Sequence, residues 1–116
     1  MTNALIIDLS GEVREHTGPL TLDFYQETVG GWVQAVWLDA PEGSLWMHEE
    51  GKLIGMPPNE LATRIYWQAQ PHHMQNDYVA GVAIVTGGTD DEGDTLPPST
   101  ELIAFVHESA ARVAAG

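Results

Sequence analysis

Val29-Gly30-Gly31-Trp32-Val33-Gln34-Ala35-Val36 and His48-Glu49-Glu50-Gly51-Lys52-Leu53-Ile54-Gly55-Met56-Pro57-Pro58-Asn59 are the two stretches on which the fold turns. In the first, Gly30 stands where a helix ends in a left-handed cap, because glycine adopts positive φ without a Cβ penalty. Residues 32–38 follow as a β-strand with apolar side chains on both faces, the pattern of a central strand. In the second, residues 44–48 and 52–54 read as two arms of an antiparallel hairpin. Glu49-Glu50-Gly51 is its three-residue loop, with Gly51 at the position that needs positive φ. Gly55-Met56-Pro57-Pro58 stops the strand, and Asn59 caps a helix whose stripe is Leu61, Ala62, Ile65 and Tyr66.

Working outward, residues 4–9 form a buried strand and residues 12–15 a short edge strand beyond the turn Ser10-Gly11. Thr21 caps the first helix, whose apolar face is Leu22, Tyr25 and Val29. Asp39-Ala40-Pro41-Glu42-Gly43 is a turn and residues 68–76 a loop. Residues 77–86 make the last strand, and residues 87–98 an acidic loop. Ser99 or Thr100 then caps a final helix with the stripe Leu102, Ile103, Val106, Ala110 and Val113. The expected fold is α+β: one small domain over residues 1–116, a mixed, mostly antiparallel sheet of five or six strands, and about three helices.

Composition narrows the chemistry. The chain has 116 residues and 43% hydrophobic content, enough for one core without staples. It has no cysteine, which removes disulfides, thiolate nucleophiles and cysteine zinc sites. The start of the chain carries no basic signal-peptide region, and no apolar run reaches the roughly 20 residues of a membrane span. The expected compartment is the cytoplasm. Seventeen carboxylates against four basic residues give a formal charge of −13. Nucleic acid and anionic membranes need clustered lysine and arginine. Neither is an expected partner here. A surface of this sign suits basic partners, or serves solubility.

The pieces of residues 29–97 also come in a recognisable order: Val29-Gly30-Gly31, then Glu49-Glu50-Gly51-Lys52-Leu53, then Gly55-Met56-Pro57 leading to Asn59 and Ala62. Asp77-Tyr78-Val79-Ala80-Gly81 and Val85-Thr86-Gly87-Gly88 complete the set. In this order they resemble the signature of the DUF 3846 family, a family of domains of unknown function. One departure stands out. The family usually places an asparagine before the two glutamates, where this chain has His48, so any role of that asparagine does not carry over. The resemblance implies a small accessory protein of a phage, a plasmid or a bacterium that carries one. It implies no catalytic residues.

Candidate chemistry is sparse. His48-Glu49-Glu50 offers an imidazole beside two carboxylates, but neighbours on a strand point to opposite faces, so an exposed hairpin tip is preferred to a metal site. His72-His73 with Asp77 lacks a defined third ligand. Thr89-Asp90-Asp91-Glu92-Gly93-Asp94 has consecutive acids where a calcium loop alternates them. No phosphate-binding glycine fingerprint or serine elbow is present. The expectation is therefore no metal, no cofactor and no catalytic residue. Of the four tryptophans, Trp46 and Trp67 are the candidate interface anchors. The expected partner-binding set is Trp46, His48, Glu49, Glu50, Lys52 and Asn59. Three functions fit: a non-enzymatic accessory protein that modulates a host protein, an acidic DNA mimic, and a sequestering protein for a nucleotide signal held by Arg14, Lys52 or Arg64.

Overall fold

The computed structural model describes residues 2–70 and 77–116. In chain order it contains β1 (Ala4–Ile7), β2 (Val13–His16), α1 (Leu22–Val29), β3 (Val33–Asp39), β4 (Glu42–His48), α2 (Glu60–Ala69), β5 (Ala83–Thr86) and α3 (Thr100–Ala115). The five strands form one sheet in the order β2-β1-β5-β4-β3, and every neighbouring pair is antiparallel. The last strand is thus inserted between β1 and β4, so strands from both halves of the chain share one sheet. This is the expected small α+β architecture, with an antiparallel rather than a mixed sheet.

Side-chain alternation along the strands divides the core in two. Leu5 and Ile7 of β1, Leu45 of β4 and Val85 of β5 point to the face covered by α2 and α3. There they meet Leu61, Ile65, Leu102 and Val106, all fully buried or nearly so. Each such side chain contributes about 1.5–3 kcal/mol on leaving water. The intervening residues Ala4 and Ile84 face α1 and pack with Tyr25 and Val29. β1 and β5 are covered on both sides, which explains their unbroken apolar runs.

The expected helix caps are present. Thr21 Oγ1 accepts from Phe24 N at 3.1 Å, and Ser99 Oγ accepts from Leu102 N at 3.0 Å. Gly30 closes α1 with φ 91°, its N–H donating to Gln26 O.

Four expectations need correction. First, β3 is an edge strand. Its apolar content comes partly from side chains left in solvent, Trp37 among them at 44% exposure. Hydrophobic alternation reports the faces of a strand and carries no information about its lateral neighbours. Second, the hairpin partner of β4 is β3, joined through Ala40-Pro41 with Asp39 opposite Glu42. Residues 49–55 coil through successive turns, with Ile54 N donating to Glu50 O at 3.0 Å and Met56 N to Gly51 O at 2.9 Å. Gly51 does not have positive φ; Gly55 does, at 80°. Gly51 is instead confined by packing, since a Cβ there would lie 3.2 Å from Ala80 O. Third, β5 begins only at Ala83, because Gly81 at φ 82° breaks the chain's extension. Before it, Ala80 makes an isolated bridge to Pro58. Fourth, Leu22 is exposed, so α1 buries only Tyr25 and Val29.

Candidate functional site

The region after β4 gathers most of the residues singled out in the sequence, but in different roles. Trp46 lies on the α1 face of the sheet, stacked on Tyr25 with ring centroids 4.0 Å apart and planes 11° from parallel. Its indole Nε1 donates to Thr86 Oγ1 at 2.9 Å. Trp46 is therefore a packing residue of the smaller core, with its polar atom already satisfied. His48 turns its imidazole onto Gly31, where a Cβ would come within 2.5 Å of Nε2. Its Nδ1 accepts from Glu50 N at 3.0 Å, so the ring fixes the start of the turn.

Asn59 is fully buried and belongs to the scaffold. Its Oδ1 accepts from Ala62 N, and its Nδ2 donates to both Ile7 O and Gly81 O, all at 3.0 Å. One side chain caps α2 and ties it to the end of β1 and to the segment before β5. It is unavailable to a partner.

What faces solvent is different. Glu49 and Glu50 are exposed, as expected, and the turn that follows them presents Leu53 at 85% and Ile54 at 59% exposure. Trp32, 67% exposed, is joined to the start of this turn through its carbonyl, which accepts from Glu49 N at 2.8 Å. Lys52 pairs with Asp77 and lies 5.2 Å from the centre of the Tyr78 ring. Asp77 is held by its own surroundings: its Oδ1 accepts from Tyr78 N at 2.8 Å, and its carbonyl from Trp67 Nε1 at 2.7 Å. Trp67, like Trp46, thus spends its indole N–H internally.

A small notch opens between this turn and β3, lined by Gln34, Val36, Glu49, Lys52, Tyr66 and Tyr78 among others, and enclosing about 50 Å³. That is room for one or two waters, well below the roughly 300 Å³ of a typical small-molecule site. A nucleotide would not be enclosed there. Tyr66 is pushed above the ordinary phenol value by burial, with the Asp77 charge adding to the effect and Lys52 opposing it. Burial also raises Tyr25.

The two raised phenols carry a pH prediction. Each stays neutral longer in the folded chain than in the unfolded one, so its contribution is complete below about pH 10 and is lost as pH rises through the folded value. Stability should decline on the alkaline side of pH 10. Tyr66→Phe should flatten that decline in denaturant titrations run from pH 9 to 11.5; an unchanged slope would remove Tyr66 from the effect.

Among the described residues, no group of three His, Asp or Glu side chains is placed to hold a metal ion. His72 and His73 lie outside the described residues. The acidic loop bonds to itself: Asp90 Oδ1 accepts from Glu92 N and from Asp94 N, both at 2.9 Å, and Thr89 bridges Thr95. Nor is any helix among the described residues long and apolar enough to cross a membrane.

The α+β fold agrees with the expected class although the turn after β4 does not follow the expected hairpin, and a family model described as Domain of unknown function (DUF3846) matches residues 1–110. The chain belongs to that family. No curated protein and no solved structure matches it. Sequence reasoning on this DUF3846 domain missed Trp32, Leu53 and Ile54 as exposed apolar groups. The sequence places Leu53 and Ile54 in a returning strand, and no local signal distinguishes that strand from a coiled turn. The Lys52–Asp77 pair, 25 residues apart in sequence, had no signal at all.

Proposed function

We propose that this DUF3846 domain is a non-enzymatic accessory protein of a phage or mobile element that modulates a host protein by binding it. The observation that carries the reading is the turn after β4, where exposed Trp32, Leu53 and Ile54 stand beside Glu49 and Glu50. Apolar anchors rimmed by charge are the usual anatomy of a protein interface. The wider charge distribution favours a basic partner. Arg14 is paired with Asp8, Lys52 with Asp77 and Arg64 with Glu60, so three of the four cations are already neutralised by the chain's own acids. The excess carboxylates are left to set the field, which speeds encounter with basic surfaces and rejects acidic ones.

Glu49→Lys combined with Glu50→Lys tests this directly. Both side chains are exposed, so the melting temperature should stay close to the parent's. Capture of host protein from lysate should fall by about tenfold, because rim charge governs encounter and partner choice. Leu53→Ser should weaken capture while leaving its salt dependence intact. If the folded double variant retains the same proteins at the same yield, this turn is not the binding surface.

A further inference from the structure

The sheet has two edges, and they are built differently. β2 is four residues long and carries Arg14 and Glu15 in solvent, two features that discourage further strand pairing. β3 is seven residues long, pairs with β4 in unbroken register from Val33–His48 to Asp39–Glu42, and contains no lysine, proline or bulge. Its outer rim can be assigned. Glu49 N donates to Trp32 O, so in an antiparallel ladder the even-numbered residues of β3 bond inward to β4. The N–H and C=O groups of Val33, Ala35 and Trp37 then point away from the sheet. Gln70 Nε2 donates to Trp37 O from that side, in agreement. Among the described residues, no backbone hydrogen bond reaches the outward N–H and C=O groups of Val33 and Ala35.

We infer that the outer edge of β3 accepts an extended basic peptide of the partner as a sixth strand, an inference that rests on the binding reading above. Main-chain bonds to Val33, Ala35 and the Trp37 N–H would supply the attachment, as in other cases of strand addition. The two faces of the edge then set the sequence. On the α1 face, small exposed Ala35 lies between Val33 and the half-exposed Trp37 ring, a surface for apolar side chains. On the opposite face, Gln34 and Val36 border the notch that Glu49 also lines, a polar place beside an acid. Exposed carboxylates flank both ends of the strand: Glu49 and Glu50 next to Trp32, and Asp39 and Glu42 at the hairpin. The matching ligand alternates apolar and basic residues. A second copy of this chain would instead bring a formal charge of −13 against another −13.

The probe is a fluorescein-labelled peptide of about eight residues alternating lysine and valine, long enough to span β3. Its binding is read by anisotropy, together with the amide resonances of Val33, Ala35 and Trp37. The peptide should shift those amides, and N-methylation of its alternate residues along one edge should weaken binding by at least about tenfold, since methylation removes the pairing donors. Replacing its lysines by glutamates should abolish binding. Ala35→Pro, which deletes an outward N–H at an edge position, should have the effect of peptide methylation; the methylated peptide keeps the test valid if that variant does not fold. Equal affinity for the methylated peptide, or shifts confined to other strands, would overturn the inference. A dimer in sedimentation experiments that Ala35→Pro dissociates would also overturn it, by assigning the edge to a second copy. Host-protein capture that depends on Glu49 and Glu50 but is insensitive to Ala35→Pro would leave the proposed function standing and remove only the strand-addition site.

Discussion

Asn59→Leu should cost about 3–5 kcal/mol, a large share of the roughly 5–15 kcal/mol that holds a small domain together. Three losses combine. The helix cap to Ala62 N disappears, worth about 1 kcal/mol. Ile7 O and Gly81 O lose their shared donor inside a fully buried site, at about 1–3 kcal/mol for each unsatisfied carbonyl. Leucine also branches where the amide was planar. Asn59→Asp separates these terms. It keeps the capping oxygen but aims a carboxylate at two carbonyl oxygens. Folding must then raise the aspartate pKa, so the variant's stability is greatest at acid pH and falls as pH rises through that value. Denaturant titrations at pH 5 and pH 8 would show Asn59→Asp closing part of its gap to the parent only at the lower pH. A leucine variant that melts within a few degrees of the parent would mean that the buried amide is not the joint between α2 and the sheet.

Gly87→Ala is the second large effect, expected at about 3 kcal/mol. A Cβ at this position would stand 2.2 Å from Pro97 O and 2.9 Å from Leu96 O. Both obstacles are backbone, so no rotamer change relieves them, and the returning segment at residues 95–97 must lift. That movement strains or breaks the bonds from Gly87 N to Leu96 O at 2.9 Å and from Leu96 N to Gly88 O at 2.8 Å. Overpacking costs about 1–3 kcal/mol and each lost hydrogen bond about 1 kcal/mol. The disturbance should reach the smaller core, because Thr86 Oγ1 donates to Gly87 O while accepting from Trp46 Nε1. Near-ultraviolet circular dichroism of the stacked Trp46–Tyr25 pair should therefore change together with stability. Gly93→Ala provides the contrast: it meets open space and carries only the left-handed penalty of about 1–2 kcal/mol. Equal midpoints for the two variants would show that the Gly87 clash is relieved cheaply.

How these residues differ in legibility explains the rest. Asn59 could be read as a cap because capping depends on a short side-chain oxygen and three residues of backbone. Its second task, bridging to Ile7 52 positions earlier, leaves no trace in neighbouring residues. Gly87 looked like one more loop glycine, because only the returning chain at Pro97 makes its missing Cβ necessary. Of the expected binding set, Glu49 and Glu50 face solvent, whereas Trp46 and Asn59 are occupied by the fold itself. A tryptophan's tendency toward interfaces cannot tell an anchor from a core ring when both require the same apolar surface.

The sequence by itself determined the α+β class, the three helices, the Thr21 and Asn59 caps, the glycine stop at Gly30, the acidic field and the family. All of these rest on interactions within a few residues, on alternation along one element, or on charges that add regardless of position. Tertiary structure alone decided that β5 inserts between β1 and β4, which pushes β3 to the edge and leaves the outward backbone groups of Val33 and Ala35 without a strand partner among the described residues. It also decided that residues 49–55 coil, because β3 and β5 already pair with the two edges of β4 and leave none for a returning strand. Strand order and turn path depend on which distant segments exclude water together most completely, a property of the whole chain that no local window contains.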